Sequence, residues 1–189
     1  NTYNTVSTGV AYKDGKKLKV KTGLELRRDQ DTPELIQWLT RNNLEYQVTR
    51  DLSYLGKINY GKSRFLTPND TPAAFTELST GFAYRPVDND RLNVLTRYTL
   101  LRNISNDFQF PNAIYNGVAT DQTDQIVSID VAYDLFKYLG LVNKFAYKNS
   151  LLNSTAVEEI ALNQLLAAHR FNFHITRKWD AGIEYRSLW

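Results

Sequence analysis

The amino-acid sequence predicts an all-β fold, an antiparallel up-and-down transmembrane β-barrel, on three observations. Apolar and polar residues alternate with a period of two over most of the chain, which is typical of strands with two unlike faces. Tight turns alternate with longer polar loops, as in a meander. One predicted face carries no charged residue, although 23% of the chain is charged. Residues 1–189 are therefore predicted to form a single transmembrane β-barrel domain.

Ten strands are visible in the alternation. Tight turns follow every odd-numbered strand, and Asp14-Gly15 is the strongest hairpin signal among them. The longest loop runs from about Ser105 to Asp124, and the stretch Thr155–Leu166 is the only candidate for a helical apolar stripe. The predicted strands are 4–13, 17–28, 36–49, 53–65, 76–87, 91–103, 125–136, 140–150, 164–177 and 180–188.

The composition excludes several classes of protein. The chain has no Cys, which excludes a disulfide framework, Cys-ligated zinc and thiol catalysis. No apolar run reaches 18 residues and the mean hydropathy is −0.44, so no helix is expected to cross a membrane. Glycine-rich phosphate loops and nucleophile elbows are absent, and we expect no cofactor. The basic residues are spread over nine strands, and we expect no nucleic-acid partner.

The tyrosines form two rows on the apolar face. One row lies just before the tight turns and the other well past them. About ten residues between the rows, at roughly 3.3 Å each and a tilt of about 40°, give on the order of 25 Å. That is the height of the lipid-facing band of an outer-membrane barrel, which predicts outer-membrane lipid as a partner. The predicted aromatic girdles are Tyr12, Tyr46, Tyr84 and Tyr133 in one row and Tyr60, Tyr98, Tyr147 and Tyr185 in the other.

The interleaved face carries twelve basic and five acidic residues, a surplus of seven positive charges. If this face lines a water-filled pore, the surplus favours small anionic solutes. If the barrel is narrow and filled, the charges pair and only stabilise it. The charged residues predicted to face the lumen are Lys13, Lys19, Lys21, Glu25, Arg27, Arg41, Glu45, Lys57, Arg85, Arg97, Asp130, Asp134, Lys144, Lys148, Arg170, Glu184 and Arg186.

Two segments resemble bacterial outer-membrane β-barrels, namely Gly81–Leu92 and Lys178–Arg186. More narrowly, they resemble the C-terminal barrel regions of large multi-domain surface proteins of Gram-negative bacteria. The resemblance implies a location in the bacterial outer membrane and insertion by the barrel-assembly machinery, and it supplies no catalytic residue. Barrels of that pattern continue with further strands after the segment that matches Lys178–Arg186.

The strand count also bears on completeness. Bacterial barrels place tight turns in the periplasm, and here a tight turn is the first connection, so both ends of the chain would lie outside the cell. We therefore expect a missing strand at each end and a barrel of at least 12 strands, which the absence of Met also fits. Against this, Trp189 with Tyr185 and Ile183 on the same face resembles the C-terminal assembly signal of a complete barrel.

The pattern predicts a pore or the membrane anchor of a surface protein, and not an enzyme. One alternative is a soluble β-barrel that binds a ligand. Another is an outer-membrane hydrolase with His174 as general base near Asp130 or Asp134. His169 is expected on the lipid face close to an interface.

The loop after the sixth strand could bind calcium through its polar side chains, but their spacing fits no EF-hand, and a solvated polar loop is the default. Phe108, Phe110 and Tyr115 make the same loop a candidate binding surface or inward-folded plug. The polar residues considered for calcium are Asn106, Asp107, Asn112, Asp121 and Asp124.

Overall fold

A computed structural model describes residues 3–15, 17–30, 34–66, 73–106, 119–154, 159–176 and 179–189. Over these ranges the chain forms ten strands, each long enough to cross a bilayer when tilted. They are β1 (Tyr3–Asp14), β2 (Leu18–Asp29), β3 (Leu35–Gln47), β4 (Leu52–Phe65), β5 (Ala73–Tyr84), β6 (Leu92–Asn106), β7 (Ala119–Phe136), β8 (Leu139–Ser154), β9 (Ile160–Thr176) and β10 (Trp179–Leu188).

The strands form one antiparallel sheet whose order follows the chain from β1 to β10. Every strand therefore pairs with its neighbours in sequence, and this confirms the predicted all-β up-and-down architecture. Within the described ranges β1 and β10 do not pair with each other, so each is an edge of the sheet. No helix in these ranges has the length and apolarity needed to cross a membrane.

The loop ends of several strands differ from the prediction. β7 begins at Ala119 instead of 125, and β8 continues to Ser154. The helical stripe is wrong from Ile160 onward, because β9 begins there and pairs with β8. The β7 and β8 extensions carry polar residues on both faces, so backbone pairing continues beyond the point where apolar and polar residues cease to alternate. Residues 155–158 and most of the predicted calcium and plug loop lie outside the described residues.

The burial pattern is inverted relative to a soluble domain. Ala167 is the one buried apolar residue in the described part of the chain, whereas the buried polar residues there are Asn59, Ser79, Asp124 and Ser150. Large apolar side chains are exposed instead. A soluble domain of 189 residues buries most of its large apolar side chains in a core. In the part of the chain that the structure describes, the sheet has two surfaces and no such core.

Candidate functional site: the charged face

The strand register places the predicted lumen residues on one surface, called here the charged face. Residues directly opposite each other in neighbouring antiparallel strands point to the same side of a sheet. Lys19 lies opposite Glu45, and this line of directly opposed residues, called here a register line, continues across the sheet to Arg97 on β6. Corresponding lines link the other predicted residues across all ten strands, except that Arg85 lies just beyond the end of β5. That the charged face lines a lumen stays a prediction.

Ion pairs between strands cover much of the charged face. They join Lys19 to Glu45 at 2.7 Å, Lys57 to Glu77 at 2.8 Å, Lys148 to Asp124 at 3.0 Å, Arg41 to Glu25 at 3.4 Å and Lys144 to Asp130 at 3.6 Å, and they join Arg186 to Glu184 within β10. Most of these side chains are partly exposed, so each pair contributes little by itself. Together they hold long side chains upright between neighbouring strands.

Asp124 forms the most buried polar cluster of the charged face, with a side chain only 7% exposed. The Ser150 hydroxyl donates a 2.5 Å hydrogen bond to its Oδ1, and Gln122 Nε2 donates at 3.0 Å. Lys148 Nζ lies 3.0 Å from Oδ2. Three polar side chains from two adjacent strands thus satisfy the buried Asp124 carboxylate.

Asp124→Ala is expected to destabilise the folded chain by about 1–2 kcal/mol, because it leaves the buried Ser150 hydroxyl and Lys148 without their acceptor. The matched control is Asp130→Ala, which removes a carboxylate 29% exposed and 3.6 Å from Lys144. We expect the control to cost under about 1 kcal/mol. Urea unfolding in detergent measures both, and equal losses would contradict the special role of Asp124.

The structure adds four carboxylates to the charged face that the sequence analysis missed. All four lie on the charged face: Asp29, Asp124 and Asp180 stand an even number of residues from Arg27, Asp130 and Glu184 on their own strands, and Glu77 shares a register line with Arg41. Each lies at or beyond an end of the segments whose faces were assigned from sequence. Among the described strand residues the acidic members rise from five to nine against eleven basic ones, since Arg85 lies beyond β5, so the predicted surplus of seven falls to two.

A groove of about 550 Å³ crosses the charged face from β2 to β6. Lys21, Asn43, Lys57 and Ser79 follow one register line across its width, and Arg97 lies on the neighbouring line. Lys21 and Arg97 make no ion pair or side-chain hydrogen bond with the residues that the structure describes. The groove therefore contains two cations that the ion pairs leave uncompensated.

Gly81 leaves the floor of this groove without a side chain beside Arg97. A Cβ at Gly81 would lie 2.2 Å from the backbone oxygen of Thr96, so only glycine fits the close approach of β5 to β6. Ser79, two residues away on the same face, is another small residue that lines the groove. Small residues between long cationic ones leave room for a ligand.

The opposite surface, called here the apolar face, carries its charges only at the strand ends. Its charge-free stretch runs from Leu92 to Leu100 on β6 and from Leu165 to Ile175 on β9. A rise of about 3.3 Å per residue and a tilt of 35–40° give roughly 20–27 Å. The charged residues of this face, all at strand ends, are Asp14, Arg28, Lys62, Arg64, Arg102 and Asp121.

The register corrects the predicted distance between the tyrosine rows. Tyr46 lies opposite Tyr54, and Tyr60 lies six residues further along β4. The separation is four residues across the β5–β6 hairpin and six across the β7–β8 hairpin. The expected ten is wrong, because the tyrosines flanking each of these turns lie 14 residues apart in sequence, and that spacing includes the turn and the paired residues beside it. The apolar band extends past the rows.

The row nearer the tight turns is regular across the sheet. Tyr12 shares a register line with Leu44, and Tyr46 lies two residues nearer its turn. The same two-residue step leads from Tyr46 to Tyr84 and from Tyr84 to Tyr133. The row thus moves by one residue along the strand direction for each strand crossed, which is about 3.3 Å for each 4.8 Å between strands. A row with this step lies perpendicular to the barrel axis when the strands tilt from that axis by about 35°. Transmembrane barrels have tilts of 35–45°.

The two histidines lie on opposite faces. His174 Nδ1 is 2.7 Å from Asp180 Oδ1 on the charged face. The predicted partners Asp130 and Asp134 are wrong, because β8 separates their strand from β9. His169 lies on the apolar face, 2.7 Å from Asn143 Oδ1. No group of three His, Asp or Glu suited to a metal occurs within the described ranges.

Comparison with known proteins gives fold information alone. No family model and no curated protein matches the sequence. The structure is similar to the siderophore receptor PirA of Pseudomonas aeruginosa, with a TM-score of 0.74, 10% identity and 98% of this chain covered. It is also similar to the alcaligin outer membrane receptor FauA of Bordetella pertussis, with a TM-score of 0.51, 9% identity and 97% covered.

These likenesses define the class of fold: this chain has the antiparallel strand arrangement of outer-membrane receptor barrels. The matched region is 34% of PirA and 40% of FauA, so the chain spans well under half the length of either receptor. Both neighbours are described as receptors.

Proposed function

We propose that this chain forms part of the wall of a transport barrel in the bacterial outer membrane. In this arrangement the apolar face contacts lipid and the charged face lines the interior, along which a small solute passes. The inverted burial carries the proposal: exposed apolar residues such as Ile58 and Val127 lie on one face, and buried Asn59 and Asp124 on the other. Insertion would use the barrel-assembly machinery.

The tyrosine row supports the same orientation. Its one-residue step per strand matches a level girdle around strands tilted by about 35°, and Lys62 lies over the ring of Trp38 where the apolar band ends toward the loops. The two solved neighbours are receptors, one for a siderophore and one for alcaligin. We extend from them only the general role of moving a small molecule across the outer membrane.

Cysteine labelling tests the orientation, because the chain contains no Cys. Ser128 lies on the charged face and its neighbour Ile129 on the apolar face. In lipid vesicles we expect Ser128→Cys to react with a water-soluble, membrane-impermeant maleimide and Ile129→Cys to resist it. The reverse pattern, or equal reaction of both, would refute the proposed orientation.

A second candidate is the membrane anchor of a surface protein. The many ion pairs favour it, because paired charges also stabilise a filled interior that conducts nothing. Planar-bilayer recordings separate the two: a transport wall gives ion conductance or solute-dependent current, and an anchor stays silent.

A further inference from the structure

We propose that the groove across β2 to β6 is a binding site for a small polyanion bearing phosphate or carboxylate groups. This rests on the proposed function, because it requires the charged face to meet water. This proposal is more specific than the general preference for anions predicted from the sequence, because most of the charged face is neutralised by its own carboxylates.

Three cations follow the groove on alternate strands. Lys21, Lys57 and Arg97 lie on β2, β4 and β6, and neighbouring members are separated by two strand spacings, about 10–12 Å between Cα atoms. All three residues line the groove. One phosphate or carboxylate cannot bridge such a row, whereas an elongated ion with several anionic groups can.

The local charge favours an anion at the two ends of the row. Lys57 is compensated by Glu77 at 2.8 Å, and Lys19 at the edge of the groove by Glu45 at 2.7 Å. Lys21 and Arg97 have no carboxylate partner within the described ranges. A bound anion would supply the missing charge, and the guanidinium of Arg97 suits bidentate binding of phosphate or carboxylate.

The dimensions favour a small ion over a protein segment. A volume of about 550 Å³ lies within the range of small-molecule sites. Gly81 and Ser79 leave the floor open beside Arg97, and Asn43 and Ser79 offer neutral donors along the groove. Glu45 and Glu77 stay paired to lysine, so they do not leave free negative charge in the path.

Inorganic tripolyphosphate is the probe, titrated calorimetrically into the full chain folded in non-ionic detergent at low salt. We expect tighter binding than that of orthophosphate, because only the longer ion reaches several cations. Arg97→Gln and Lys21→Gln should each weaken tripolyphosphate binding, Arg97→Gln by about tenfold. The matched control is Arg170→Gln, an identical change on the same face three strands from β6, which should leave binding within about twofold.

The outcomes separate the site from the orientation. Absence of tripolyphosphate binding, or equal losses in all three variants, would overturn the local site. If Ser128→Cys is nevertheless labelled from water, the proposed function stands while this inference fails. If Ser128→Cys is not labelled, the orientation itself fails. Each variant is first shown to fold by its heat-dependent shift in gel mobility, and Lys21→Gln keeps the test decisive if Arg97→Gln does not fold.

Discussion

Replacing Gly81 with alanine is expected to destabilise the folded chain by about 2–3 kcal/mol, a large effect for one methyl group. The new Cβ would lie 2.2 Å from the backbone oxygen of Thr96 and 3.2 Å from the Cα of Arg97. Both obstacles are backbone atoms of β6, so relief requires β5 and β6 to move apart. Urea unfolding in detergent micelles measures the loss.

Gly23→Ala is the matched control for this change. Gly23 also lies within a strand on the charged face, but its Cβ would lie 3.7 Å from the nearest backbone oxygen, an ordinary contact. The control should therefore stay within about 1 kcal/mol of the parent chain. Equal destabilisation by the two substitutions would show that the close approach at Gly81 has no energetic weight.

A lysine in the apolar band is expected to have an effect of similar size. Val131 lies on the apolar face between Val94 and Asn143. Val131→Lys would place an ammonium against lipid hydrocarbon, which costs about 2–4 kcal/mol near the bilayer midplane of a β-barrel. The yield of folded chain in lipid vesicles and its urea midpoint should both fall.

Ala132→Lys provides the control at the adjacent residue. Ala132 lies on the charged face, where Asp130 and Asp134 flank it at two-residue spacing on the same strand. A lysine there gains opposite charges and stays out of lipid, so we expect a change of under about 1 kcal/mol. If Ala132→Lys proves the more damaging of the two, the apolar face does not contact lipid.

Much of the fold could be predicted because barrel strands reveal their two faces through a simple period. In each of the ten strands, the alternate residues assigned to the apolar face from the sequence are the ones that the register places together on that face. A single wrong choice of face would have placed a charged side chain on the apolar face. The strand ends were harder, since Asp121 on β7 interrupts the alternation although it still pairs with Ile104.

The chemistry of the charged face was less accessible from sequence. Glu77 lies near Lys57 only because β5 follows β4 in a particular register, and sequence spacing gives that register to within a few residues at best. The same uncertainty affected the tyrosine rows and the partner of His174. Gly81 shows no sequence signal for its close contact with β6, because a strand glycine has several explanations.

The meander order makes this chain a nearly one-dimensional structure in energetic terms. Over the described ranges each strand contacts only the strand before it and the strand after it. Its stability is then close to a sum of neighbour terms, as in repeat arrays, and no central cluster relays a disturbance from one hairpin to another. A destabilising change in the β1–β2 hairpin should therefore leave the stability of the β9–β10 hairpin unchanged. Loops in one part of the sheet can then vary in sequence without destabilising the rest.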